Sequence, residues 1–134
     1  MVVKDVNYAH GLESVLVPET DGIVNDVRHG IRFNILPFQL EEFQDTSAII
    51  VNEIRMIRNR EGYYFITANK FKHVYVMVPK EGSLKLKKKI LVDENGINSP
   101  AFNWRDPVVE LINRDTKEVI SLNSKGTLKA EDKS

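Results

Sequence analysis

The sequence predicts an all-β fold, or a β-dominated fold with one short helix, arranged as an antiparallel sandwich or partly open barrel of about eight or nine strands. Three observations carry this reading. Short runs rich in β-branched and aromatic residues alternate with polar ones along most of the chain. Turn signals recur at roughly the 8–12-residue spacing of sandwiches and barrels. No strand–helix–strand alternation is present, which argues against a parallel sheet.

The elements follow in chain order. Residues 12–17 form a short apolar run closed by Pro18. Asp21-Gly22 marks a turn, residues 23–27 a short strand, and His29-Gly30 a break. Ile31, Phe33 and Ile35 alternate with Arg32 and Asn34, the period of a half-buried strand, which Pro37 ends. Residues 37–45 are the helix. Proline is tolerated in a first helical turn, Leu40 and Phe43 fall three apart on one face, and Glu41 and Glu42 sit where the helix dipole is expected to favour them.

Residues 49–58 alternate again, and residues 59–62 (Asn-Arg-Glu-Gly) read as a hairpin loop to a return strand at 63–68. Asn69-Lys70 is a turn. Residues 72–78 form a strand with Val74, Val76 and Val78 on one face. Residues 79–83 read as a loop and 84–92 as a strand, with Lys85, Lys87 and Lys89 sharing a face. Asn95-Gly96 is a strong turn signal, and the turn at 93–96 is expected to close a hairpin. Residues 97–107 (INSPAFNWRDP) read as the longest irregular segment, with two prolines and the only tryptophan. Residues 108–112 and 118–122 flank a polar five-residue turn, the clearest hairpin in the chain.

A length of 134 residues fits one domain over 1–134, with residues 125–134 a polar, frayed tail. The absence of cysteine removes disulfides, thiol catalysis and thiolate metal sites, and fits a reducing compartment. The N-terminal stretch carries Lys4, Asp5 and Glu13 and lacks an apolar core of signal length, so a signal peptide is not expected. No stretch approaches the length of a membrane-spanning helix. A cytoplasmic protein without membrane contact is the expectation.

Charge is the largest departure from an ordinary composition. The chain is neutral overall, yet residues 1–50 carry a net −5, residues 51–90 a net +7 and residues 91–134 a net −2. Arg55, Arg58, Arg60, Lys70, Lys72, Lys80, Lys85, Lys87, Lys88 and Lys89 are interleaved with Tyr63, Tyr64, Phe65, Phe71 and Tyr75. Single-strand nucleic-acid binders combine cationic grooves with aromatic platforms on strands. The competing reading is a solvated strand face or a lysine-protected sheet edge. The acidic first third could also meet the basic middle, either across subunits or within one molecule through Lys87-Lys88-Lys89 and Glu41-Glu42.

Other candidates are sparse. His10, His29 and His73 show no metal-ligand spacing and read as surface or turn residues, although His29 lies close to Asp26. The acidic pairs 41–42, 93–94 and 131–132 read as solvated charge. The serines lack a nucleophile-elbow context, and the glycines are scattered singly, with no phosphate loop. The segment 99–107 combines Phe102 and Trp104 with Asn103 and Arg105, the composition of a binding hot spot, against the alternative that both rings fold back as core.

The residues singled out for binding are Arg55, Arg58, Tyr63, Tyr64, Lys72, Tyr75, Lys85, Lys87, Lys89, Phe102, Trp104 and Arg105. The function expected is a non-enzymatic binding or assembly module with a protein partner or self-association, and with no metal or cofactor. The alternatives are single-stranded nucleic-acid binding through residues 55–89, and a small-ligand carrier or enzyme with a pocket in a barrel mouth.

Overall fold

A computed structural model describes residues 13–105 and 107–128. The first residue of the opening apolar run, His10 and the end of the polar tail lie outside the described residues. Eleven strands and one helix are described, in three antiparallel sheets, none of which closes into a barrel.

Strands β1 (Ser14–Leu16), β4 (Ile54–Arg58), β5 (Tyr64–Ala68), β6 (His73–Lys80) and β7 (Ser83–Leu91) form a five-stranded sheet in the order β1-β4-β5-β6-β7. Strands β8 (Pro100–Arg105), β9 (Val108–Asn113), β10 (Val119–Asn123) and β11 (Gly126–Thr127) form a second sheet, with β8 and β11 at its edges. Strands β2 (Ile23–Asp26) and β3 (Ile31–Asn34) pair as a hairpin, and α1 (Leu36–Phe43) follows directly.

The five-stranded sheet is the middle layer. Ile54, Met56, Ile66 and Tyr75 point into one core with Val24, Phe33 and Phe38 of the hairpin and helix. Ile57, Phe65, Val74 and Ile90 point the other way, against Phe102, Val109, Leu111 and Leu122 of the second sheet. Both faces being covered, all five residues of β5 are buried. Filling a site such as that of Phe65 contributes on the order of 3 kcal/mol, and truncating it costs more because a cavity remains.

The turns at 59–62 and 113–117 close hairpins as expected. The Asn59 side chain accepts the Tyr63 N–H at 2.9 Å, and the Asn113 side chain accepts those of Asp115 and Thr116 at 3.0 and 3.1 Å. Elsewhere the structure corrects the sequence reading. The strand expected over 49–58 starts only at Ile54. Gln39, buried in α1, places its amide oxygen 2.9 Å from the Ile50 N–H, while its amide nitrogen donates to the carbonyls of Asp45 and Ala48. That one side chain takes the backbone bonds that would have gone to a ladder.

The helix also differs. It buries Phe38 and Gln39, and Leu40 is exposed. It begins at Leu36, where the Asn34 side chain accepts the first N–H at 2.8 Å, so Glu41 and Glu42 fall in its last turns, away from the dipole's positive end. Residues 79–83 are not a loop: β6 runs through Pro79 to Lys80, and Glu81 and Gly82, with φ of 54° and 80°, make a two-residue hairpin turn. The turn at 93–96 links two sheets instead of closing a hairpin. Gly96 is required there, since a Cβ would lie 2.6 Å from the Lys70 carbonyl oxygen. Finally, residues 100–105 are a strand and not an irregular loop. Pro100 stands at its first position and Pro107 beyond its end, where a missing N–H costs no ladder bond.

Candidate binding cleft

The β8–β9 hairpin forms one wall of a cleft. Phe102 and Trp104 lie opposite Leu111 and Val109, on the side of β8 that meets the core. Phe102 is buried, whereas Trp104, near the strand end, is half-buried. Arg105 points to the other face and is exposed. Opposite them stands the β4–β5 hairpin loop with Asn59, Arg60 and Glu61. Trp104, Arg105 and these loop residues, together with Glu110, Ser121, Asn123 and Leu128, line an open cleft of about 760 Å³, within the size range of small-molecule and side-chain binding sites.

Its chemistry is mixed. Trp104, Arg60 and Arg105 all line it, and both arginines are exposed. The acidic members are engaged with neighbouring amides: Glu110 accepts from Asn103 at 3.0 Å and Glu61 from Asn59 at 3.4 Å. Tyr63 follows the same loop, and the Lys87 ammonium sits 5.1 Å from its ring centre.

Lys87 reaches Tyr63 because of an irregularity in β7. Val76 lies opposite Lys88 and Met77 opposite Leu86, so Lys87 is the extra residue of a β-bulge. The bulge splits the lysines that simple alternation puts together. Lys89, opposite Tyr75, faces the helix and bonds Glu41 at 2.8 Å, while Lys85 and Lys88 face the side of the second sheet. β7 is an edge strand, and its row of exposed lysines and its bulge are the features that keep an edge from pairing with another chain.

The other residues singled out from sequence are dispersed. Tyr64 is buried in the first core, in edge contact with His29 at 5.4 Å and with Arg58 6.0 Å from its ring centre. Burial pushes its hydroxyl pKa up, with nearby Asp26 acting in the same direction and Arg58 against it. Arg55 bridges Glu13 at 2.8 Å and Glu53 at 2.9 Å. Burial opposes its charge, but those hydrogen bonds more than restore it. Glu13 also accepts the Phe102 N–H at 2.5 Å, which ties β8 to β4. Lys72 contributes its backbone N–H to Glu42 and keeps its side chain in solvent.

Two polar constellations are more buried than the sequence reading expects. Glu42 is not solvated: its side chain is 0% exposed and meets the Lys72 N–H at 2.7 Å, His73 Nδ1 at 2.9 Å and the Tyr75 hydroxyl at 2.7 Å. Burial and then the Glu42 carboxylate push the Tyr75 pKa far up. His29, read as a surface residue, has a side chain only 6% exposed and pairs with buried Asp26 at 2.6 Å. The Glu42 cluster pins α1 to the middle sheet, whereas the Asp26 pair lies within the hairpin and His29 reaches that sheet through its edge contact with Tyr64. No group of metal-ligating side chains occurs among the described residues, and no described helix is long and apolar enough to cross a membrane. Comparison with protein-family models, curated proteins and solved structures gave no match.

Proposed function

We propose that this protein is a non-enzymatic binding module whose partner seats in the cleft at the β8–β9 hairpin. The observation that carries the proposal is the setting of Trp104. The chain's only tryptophan is half-buried at the wall of a cleft of about 760 Å³, which two exposed arginines, Arg60 and Arg105, also line. A tryptophan anchored by packing and still partly exposed is the usual centre of a binding hot spot. The platform is stiff, because β8 is held by β9 on one edge and by Glu13 on the other. The hydrogen bonds of Glu61 and Glu110 to asparagines fix the shape of the cleft and do not poise a proton for transfer.

The test is amide chemical-shift mapping against a library of small aromatic and anionic fragments. The proposal expects shifts centred on residues 59–61, 104–110 and 121–123. Fragments that bind only elsewhere, or shifts confined to the β7 edge, would overturn it.

A further inference from the structure

We propose that the cleft and the adjoining end of β7 form one track for a single-stranded nucleic acid; this rests on the cleft being the binding site. The track holds two aromatic rings, each beside cations. Trp104 shares the lining of the cleft with Arg60 and Arg105. Tyr63, three residues along the loop from Arg60, carries Lys87 over its ring at 5.1 Å. Lys85 continues the line, because it is exposed and lies opposite Val78, on the same sheet face as Lys88.

The bulge at Lys87 is what joins the two parts. It turns one lysine out of the edge row and onto the tyrosine that follows the cleft loop. A ring flanked by a cation suits a base flanked by a phosphate: the base stacks on the ring and the phosphate meets the cation. Lys87 is exposed and its stem is flexible, so its ammonium can leave the Tyr63 face to a base and move to the neighbouring phosphate. An acidic peptide would use the cations but has no use for two ring faces. Glu61 and Glu110 oppose part of the arginine charge in the cleft, and the lysines give the track its positive sign.

The experiment is fluorescence anisotropy of end-labelled twelve-nucleotide oligo-dT and oligo-U with the whole chain, in 20 to 200 mM salt. Four cations on phosphates predict a log–log salt slope of about −2.8, which is about a 50-fold loss of affinity between 50 and 200 mM. Arg60→Glu and Lys87→Glu, both changes at exposed positions, should each weaken binding at least tenfold. Trp104→Ala should weaken it by a similar factor, with its folding checked by thermal melting.

Three results would overturn the proposal. Absence of any anisotropy change at 20 mM salt removes the nucleic acid but leaves the cleft, which the fragment mapping judges separately. Displacement by poly-glutamate as effective as by unlabelled oligonucleotide points to an acidic protein segment. Binding that is lost on changing the lysines but indifferent to Arg60→Glu and Trp104→Ala places it on the sheet edge alone.

Discussion

Replacing Glu42 by alanine removes the buried carboxylate that joins α1 to the middle sheet. Its side chain is fully buried and accepts from the Lys72 N–H and the Tyr75 hydroxyl, both at 2.7 Å, with His73 Nδ1 at 2.9 Å. Lys72 is exposed, and water can replace the lost acceptor there. The Tyr75 hydroxyl belongs to a residue only 3% exposed and is stranded. An orphaned buried donor costs about 1–3 kcal/mol, and breaking a buried charged cluster about 3–5 kcal/mol. Glu42→Ala should therefore lose about 3–5 kcal/mol, or roughly 10–20 °C in Tm for a chain of this size. Glu42→Gln keeps one acceptor and most of the volume, and should lose about half as much. Glu41→Ala is the control, since its bond to Lys89 is a surface pair, and its midpoint should stay at the wild-type value. Urea unfolding followed by circular dichroism measures all three. A Glu42→Ala protein within about 0.5 kcal/mol of wild type would refute the reasoning.

Three further outcomes follow from the same geometry. Tyr75 and Tyr64 both hold their protons more tightly in the fold than in the unfolded chain. Above about pH 10 the unfolded state therefore deprotonates first, and stability should fall with rising pH by up to about 1.4 kcal/mol per pH unit for each tyrosine. Urea midpoints from pH 8 to 11.5 should show this limb, and Tyr75→Phe should flatten it. Gly96→Ala meets the Lys70 carbonyl at 2.6 Å with φ of +87°, whereas Gly82→Ala has φ of +80° and open space. Thermal melts should show a loss of about 1–2 kcal/mol for Gly82→Ala from backbone strain alone and at least about 3 kcal/mol for Gly96→Ala, where overpacking adds to it. Changing Lys85, Lys87 and Lys88 together to threonine should strip protection from the β7 edge, and light scattering should then register concentration-dependent association absent from wild type.

The strand order along the chain was legible because alternation and turn chemistry are local. Ile54 to Arg58, Tyr64 to Ala68 and the Asn113 turn were readable from their own residues. The misreadings share a cause: a distant partner decided the outcome. Ile49 to Val51 alternate like a strand, but Gln39, ten or more positions earlier, holds their backbone as a loop. The segment around Trp104 resembles a loop because of its two prolines, yet β9 recruits the six residues from Pro100 to Arg105. The lysines of β7 resemble one face until the bulge redistributes them. For the cleft, Trp104 and Arg105 were visible as a composition, while Arg60, Glu110 and Asn123 join them only through tertiary structure. Glu42 was invisible as a buried group, since the donors it meets lie 30 or more positions away, and for His29 the neighbouring Asp26 was legible but the burial of the pair was not.

The central claim, that the protein binds its partner against Trp104, is tested most directly by the emission of that residue. It is the chain's only tryptophan, so the signal has a single source. Titration with unlabelled twelve-nucleotide oligo-dT at low salt should quench and shift the emission saturably, and Arg60→Glu should move the midpoint to higher concentration. Emission that stays unchanged while anisotropy reports saturated binding would contradict the account.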